Sequence, residues 1–198
     1  MRLFLGLEID DAARVAIADT SDRIARRLSK IGAGGAVKWV ERENLHVTLR
    51  FLGEVRDAET AGVISALEPP LVVAPFEIVL GGGGCFPAGG TPRVVWVGVT
   101  RGADDARRIY AELDARVSAF DVEREERAYA PHLTLGRVRE IQRSAGASLR
   151  AWTSEIASPL AQVHVAAATL FRSRLSPKGP TYEKLHEVPL APRPGERV

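Results

Sequence analysis

An α+β fold assembled from two related halves is the class this sequence predicts, and three observations lead there. Strand-like and helix-like segments follow one another as strand, helix, strand, strand, helix, and then in much the same order again. The tetrapeptide HVTL at 46–49 returns as HLTL at 132–135, each time inside an apolar, strand-like run. With 198 residues, 45% of them hydrophobic, the chain can fill one large domain or two small lobes around a shared cleft.

Residues 2–9 are apolar with late alternation and read as a strand. Asp10 and Asp11 are suited to cap the next segment, where Ile17, Ile24, Leu28 and Ile31 recur at helical spacing until Gly32, Gly34 and Gly35 end it. Residues 37–40 and 45–52 read as two short strands, the second holding HVTLRFLG. A second helix starts after Asp57, carries Val63 and Leu67, and stops at Pro69 and Pro70. Residues 72–80 form another strand. The GGGGCFPAGGTP that follows lacks the lysine and hydroxyl of a P-loop and reads as a mobile hairpin or lobe-joining loop, with Phe86 placed to close over a ligand. Residues 93–100 form a strand, and Ala106, Ile109, Leu113 and Val117 mark a third amphipathic helix. A strand around residues 120–123 and an acidic-basic turn lead into HLTLGRVR. A fourth helix covers residues 144–154, with Leu149 and Trp152 packed inward. The apolar run 162–172 suits a covered strand, paired after the KGP turn with residues 182–190. Pro189, Pro192 and Pro194 mark the end of compact structure. Residues 1–190 are therefore expected to form one bilobal domain, and residues 191–198 a tail.

Charge and composition narrow the function. Glu8 and Asp10 break the first apolar run, and no uncharged apolar stretch of about 18 residues occurs, so a soluble cytoplasmic protein with no membrane partner is expected. Cys85, the only cysteine, excludes an intrachain disulfide and a thiolate-rich zinc site. A net charge of +2 argues against a large field for gripping duplex DNA. Only four of the 27 basic residues are lysines, and the arginine fork suits paired contacts to phosphate oxygens. Arg172, Arg174 and Lys178 crowd the last hairpin, where a basic patch would guide RNA.

The repeated motif carries the chemistry. Side chains alternate along a strand, so His46 and Thr48 share one face and His132 and Thr134 share another, while the intervening apolar residues face the core. A pseudo-twofold axis between the lobes would aim both pairs at one phosphate. Opening a cyclic phosphate with water needs one base and one acid. Either imidazole could take either role, with a bell-shaped pH profile as the result. The threonine hydroxyls would donate to nonbridging oxygens. Arg137 would join them as a phosphate ligand, but it lies on the opposite parity from His132 and reaches the phosphate only if the strand ends or twists at Gly136. Trp39 and Phe51 flank the first motif as core residues or as base contacts; His164 and His186 read as structural or peripheral. No HExxH or third ligand accompanies the two histidines, so neither a metal nor a cofactor is expected.

The segments RLFLGLEI, NLHVTLRFLG, PRVVWVGV, HLTLGRVR and LFRSRLSPKGPTYEKL, spread over residues 2–190, resemble the 2H phosphoesterase family, especially its bacterial RNA 2',3'-cyclic phosphodiesterase branch, also called 2'-5' RNA ligase. The resemblance implies a bilobal, pseudo-twofold fold with two antiparallel sheets lining a central, metal-free cleft and helices outside. It also implies that His132 activates water and His46 protonates the leaving O3', giving a 2'-phosphate. The implied partners are RNA 3' ends bearing 2',3'-cyclic phosphate, tRNA fragments or small cyclic nucleotides among them, met by a monomer. Some relatives carry an aromatic directly after the opening LF; Leu5 stands there in this chain. Two other readings use the same residues: ligation of the cyclic end to a 5'-hydroxyl, and a binding module without turnover. Product formation separates the last from the enzymes.

Overall fold

The computed structural model describes residues 1–122, 128–176 and 179–192. Four helices and nine strands follow one another: β1 (Arg2–Glu8), α1 (Asp11–Lys30), β2 (Val37–Trp39), β3 (His46–Glu54), α2 (Asp57–Leu67), β4 (Phe76–Phe86), β5 (Val94–Arg101), α3 (Ala103–Val117), β6 (His132–Val138), α4 (Arg143–Ser154), β7 (Ala161–Val165), β8 (Ala167–Ser176) and β9 (Gly179–Pro189). No helix among the described residues is long and apolar enough to cross a membrane.

The helices form where the apolar spacing places them. The Asp10 carboxylate accepts from the Ala13 N–H at 2.8 Å and caps α1, whose buried side includes Ile17, Ile24 and Leu28. Gly32, with φ of 75°, lets the chain leave the helix, and Ile31 is left exposed at the C-cap instead of joining the core. Ala106, Ile109, Leu113 and Val117 are fully buried along α3.

The strands are joined in the order β7-β4-β5-β6-β3-β1-β8-β9, with β2 added to β6. Each of these strand pairings is antiparallel. The order is symmetric about the β6–β3 boundary: each side begins with a histidine strand, followed by the strand that precedes a helix, then an outer pair. The two sheets expected from the family resemblance are thus fused along β3 and β6. Helix α1 follows β1 yet packs on β7 and α4 of the other half, and α3 follows β5 yet packs on β3 and α2. These crossings bind the halves together. Leu3, Leu5, Leu7, Val47, Val95, Val97 and Leu133 are fully buried on the helix-covered face; the opposite face forms a groove.

Three local expectations differ from the structure. The glycine run is not a mobile loop: Gly81 to Gly84 lie inside β4, paired with β5. A Cβ on Gly84 would sit 2.7 Å from Cζ2 of Trp96, so the bare backbone lets the indole lie flat over the strand. The run 162–172 is split at Ala166 into β7 and β8, which pair with β4 and β1 on opposite sides of the sheet. Phe120 and Asp121 form a bend and Val122 lies in no strand. Glu123, the acidic-basic turn after it, Lys178 and residues 193–198 lie outside the described residues.

If packing under Trp96 is what requires glycine, Gly84→Val should lower stability by about 1–3 kcal/mol in chemical denaturation. Gly89→Val, where nothing stands within 4 Å of an added Cβ, should stay within about 0.5 kcal/mol. Equal losses would contradict this reading of the glycine run.

Candidate active site

Strands β3 and β6 share one register pair, Val47 opposite Leu133, and β2 continues along the same side of β6. Both side chains are fully buried. Their neighbours His46, Thr48, His132 and Thr134 therefore emerge on the groove side of adjoining strands. Each imidazole is held the same way. His46 Nδ1 lies 2.7 Å from the Asn44 carbonyl oxygen and His132 Nδ1 lies 2.8 Å from that of Ala130. A carbonyl only accepts, so both Nδ1 atoms carry the proton, and of the two Nε2 atoms only that of His132 is left without a partner among the described residues. Thr48 Oγ1 stands 2.9 Å from His46 Nε2.

The environments differ. Burial is the main influence on His46 and pushes its pKa below the ordinary value; the bond to Asn44 opposes this, and the charge of Arg14 adds to it. Phe4 and Tyr182 crowd its ring, with centroids 4.9 and 5.3 Å away, Tyr182 edge-on. Gly6 makes that approach feasible, since a Cβ there would lie 3.2 Å from His46 Cδ2. Phe86 meets His132 edge-on at 5.1 Å and stacks on Trp96. Tyr129 crosses the boundary between the halves, its hydroxyl donating to the Thr48 carbonyl at 3.0 Å.

Arg137 reaches the groove through a β-bulge. Val95 pairs with Gly136 and Trp96 with Thr134, which leaves Leu135 without a partner on β5. Leu135 and Gly136 are both buried, and the alternation resumes with Arg137 exposed on the face of His132. The same device recurs in β3, where Leu49 has no partner on β1, Leu49 and Arg50 are both buried, and Phe51 turns onto the groove at 45% exposure. Arg50 fixes this second bulge: its Nε donates to Asp114 on α3 at 2.6 Å and its Nη1 to the Phe51 carbonyl at 2.6 Å.

The other candidates are dispersed. Arg172 is opposite Leu3 in the register, on the face away from the groove, and both it and Arg174 lie against the Glu183 carboxylate at 3.5 and 3.0 Å. Trp39 packs partly buried against the core. His164 bonds Glu77 at 2.7 Å on the surface, and His186 sits half-buried on β9. Leu5 is fully buried and offers no stacking surface. No group of three or more histidine, cysteine or acidic side chains poised to hold a metal occurs among the described residues. Sequence reasoning missed Arg2, Phe4, Trp96 and Tyr182 as groove residues. Alternation relative to Gly6 carries a signal for Arg2 and Phe4, but the bulge at Leu185, where Phe171 pairs with Lys184 and Leu170 with His186, sets Tyr182 and His186 on opposite faces, and the curl that brings Tyr182 over His46 is not local.

Comparison with known proteins agrees with this geometry. Residues 20–175 match the 2'-5' RNA ligase superfamily. The chain belongs to that superfamily. A relative in Archaeoglobus fulgidus named RNA 2',3'-cyclic phosphodiesterase is 34% identical over 93% of this chain and 98% of its own, and one of the same name in Aeropyrum pernix is 36% identical over 85% and 96%. The crystal structure of TT0787 of Thermus thermophilus superposes with a TM-score of 0.75 at 28% identity, covering 98% of this chain and all of that one. This superfamily member thus has the α+β, two-lobed architecture expected of it.

Removing the anchor of the β3 bulge should be measurable. Asp114→Ala leaves the Arg50 guanidinium, 5% exposed, without its carboxylate. Thermal or denaturant unfolding should show a loss of about 1–3 kcal/mol; an unchanged transition would mean that the ion pair holds nothing in place.

Proposed function

We propose that this chain is an RNA 2',3'-cyclic phosphodiesterase that hydrolyses cyclic phosphate ends to 2'-phosphomonoesters without a metal. The observation that carries the reading is the matched pair of imidazoles, each with Nδ1–H tied to a backbone carbonyl, which reserves Nε2 for proton transfer and sets that of His46 against the Thr48 hydroxyl. His132 Nε2 removes a proton from water as the water oxygen bonds to phosphorus. The P–O3' bond breaks, and His46 Nε2 delivers the proton to O3'. Thr48, Thr134 and Arg137 donate to the nonbridging oxygens, where the transition state gathers charge. Phe51 offers its exposed ring to the terminal base. One chain supplies both histidines, so a monomer suffices, and residues 1–190 act as one bilobal domain. RNA 3' ends are the substrate class; tRNA fragments and small cyclic nucleotides carry the same strained ring.

The acid role of His46 needs the substrate. Burial favours its neutral form in the free protein, and a bound phosphate anion favours the charged one. NMR titration of the free protein should find His46 half-protonated below pH 6.5, the ordinary histidine value, so that it loses its proton as pH rises toward neutrality. A bound 2'-phosphate should move that midpoint upward; a midpoint unmoved by the ligand would refute the assignment.

Turnover tests the function. A short RNA with a 2',3'-cyclic phosphate, incubated with excess EDTA, should give a 2'-phosphate by phosphorus NMR. His46→Ala and His132→Ala should each lose about 10²–10⁴-fold in rate. Activity abolished by chelator and restored by metal would point to a metalloenzyme, and binding without product to a recognition module.

A further inference from the structure

The groove carries a row of groups that the hydrolytic step does not use. Arg2 is opposite Ser173 in the register, and Ser173 is opposite Tyr182, so the three lie side by side across β1, β8 and β9. Arg2 shares its strand face with Phe4, whose ring meets both His46 and Tyr182. Arg2 is exposed, and among the described residues neither it nor Arg137 has an ion pair or a side-chain hydrogen bond. Glu54, opposite Arg2 on β3, lies 3.8 Å from the Met1 amino group.

Tyr182 feels the charge of both cations. Burial raises its pKa, and Arg137 from one half and Arg2 from the other both lower it, which places the phenol within the fields of both guanidiniums. Its strand is held in place where the Asn44 side-chain amide donates to the Pro180 carbonyl at 2.8 Å, two residues before His46. A line of donors thus runs from Arg137, beside the histidines, through Tyr182 to Arg2. Two strand spacings, about 10 Å, separate Tyr182 from Arg2. Two long side chains can close that gap on one phosphate, and Arg2, opposite Glu54 at the other end of β1 from Glu8 and its partner His46, stands away from the reacting one.

We propose that Arg2 and Tyr182 form a subsite for the phosphodiester immediately upstream of the cyclic end, which makes this groove selective for an RNA chain over a free nucleoside cyclic phosphate. The inference rests on the proposed phosphodiesterase activity and names its substrate class. The upstream phosphate accepts from the Tyr182 hydroxyl and pairs with the Arg2 fork. No bond is made or broken there, so the subsite acts on affinity and orientation alone.

The test compares two substrates, a short oligoribonucleotide ending in a 2',3'-cyclic phosphate and a nucleoside 2',3'-cyclic phosphate with no 5' phosphate. Arg2→Gln should lower kcat/KM on the oligonucleotide about tenfold and leave the nucleoside substrate within about twofold, which also reports that the variant is folded. Tyr182→Phe, which keeps the ring against His46 and Phe4, should show the same split with a smaller loss. The slope of log kcat/KM against log salt on the oligonucleotide should become shallower by roughly 0.7 in Arg2→Gln. Equal losses on both substrates, or no loss on either, would overturn the subsite. A wild-type protein that turns over neither substrate would overturn the phosphodiesterase reading itself, and this inference with it.

Discussion

One backbone pairing governs the groove. Val47 opposite Leu133 is the single register pair between β3 and β6, where the two half-sheets meet, and both side chains are buried beneath the helices. Because strand neighbours alternate, burying these two residues forces His46, Thr48, His132 and Thr134 outward on adjoining strands. A slip of one residue at this point would bury the imidazoles and expose the apolar residues, with a cost no surface contact could offset. The helices reinforce the pairing by crossing over, α1 to β7 and α3 to β3. The core's demand for apolar side chains and the site's demand for two imidazoles are met by the same alternation.

Alternation alone would have left each motif short of a further groove residue. A bulge at the leucine that closes each motif restores the residue five positions beyond the histidine to the groove face, giving Phe51 on one side and Arg137 on the other. The duplicated strands thus keep their histidines and threonines in common and diverge at that position. One half offers an aromatic face suited to a base, and the other a guanidinium suited to a phosphate. Burial differs as well: Phe4, Phe171 and Tyr182 gather around His46, whereas His132 faces Phe86. A symmetric scaffold in this way surrounds two identical side chains with different neighbours.

Much of this was legible in the residues. The four helices follow from apolar spacing at positions such as Ile17, Ile24, Ile109 and Leu113, and the histidine strands from the HVTL and HLTL repeat. What escaped was non-local. Four successive glycines carry the composition of a loop, and only the indole of Trp96, brought over Gly84 from β5, explains their place in a strand. The split at Ala166 depends on β7 and β8 joining opposite sides of the sheet. Arg172 and Arg174 look like an RNA-binding patch in the sequence, but the structure turns Arg172 to the far face and sets both against Glu183. The bulge that rescues Arg137 is signalled only by Gly136, whose missing side chain also makes room for Val37 and Trp39.

The division of labour between the two imidazoles is the claim most open to direct trial. An RNA end whose 3' bridging oxygen is replaced by sulfur leaves as a thiolate, whose conjugate acid has a pKa of about 8.5, so departure no longer needs a proton from His46. Rates for the sulfur substrate should be measured in His46→Ala and His132→Ala beside the parent protein. His46→Ala should recover most of its lost activity, while His132→Ala, still lacking the base for water, should not. Recovery in His132→Ala alone would reverse the roles, and recovery in neither would contradict acid catalysis at O3' by either histidine.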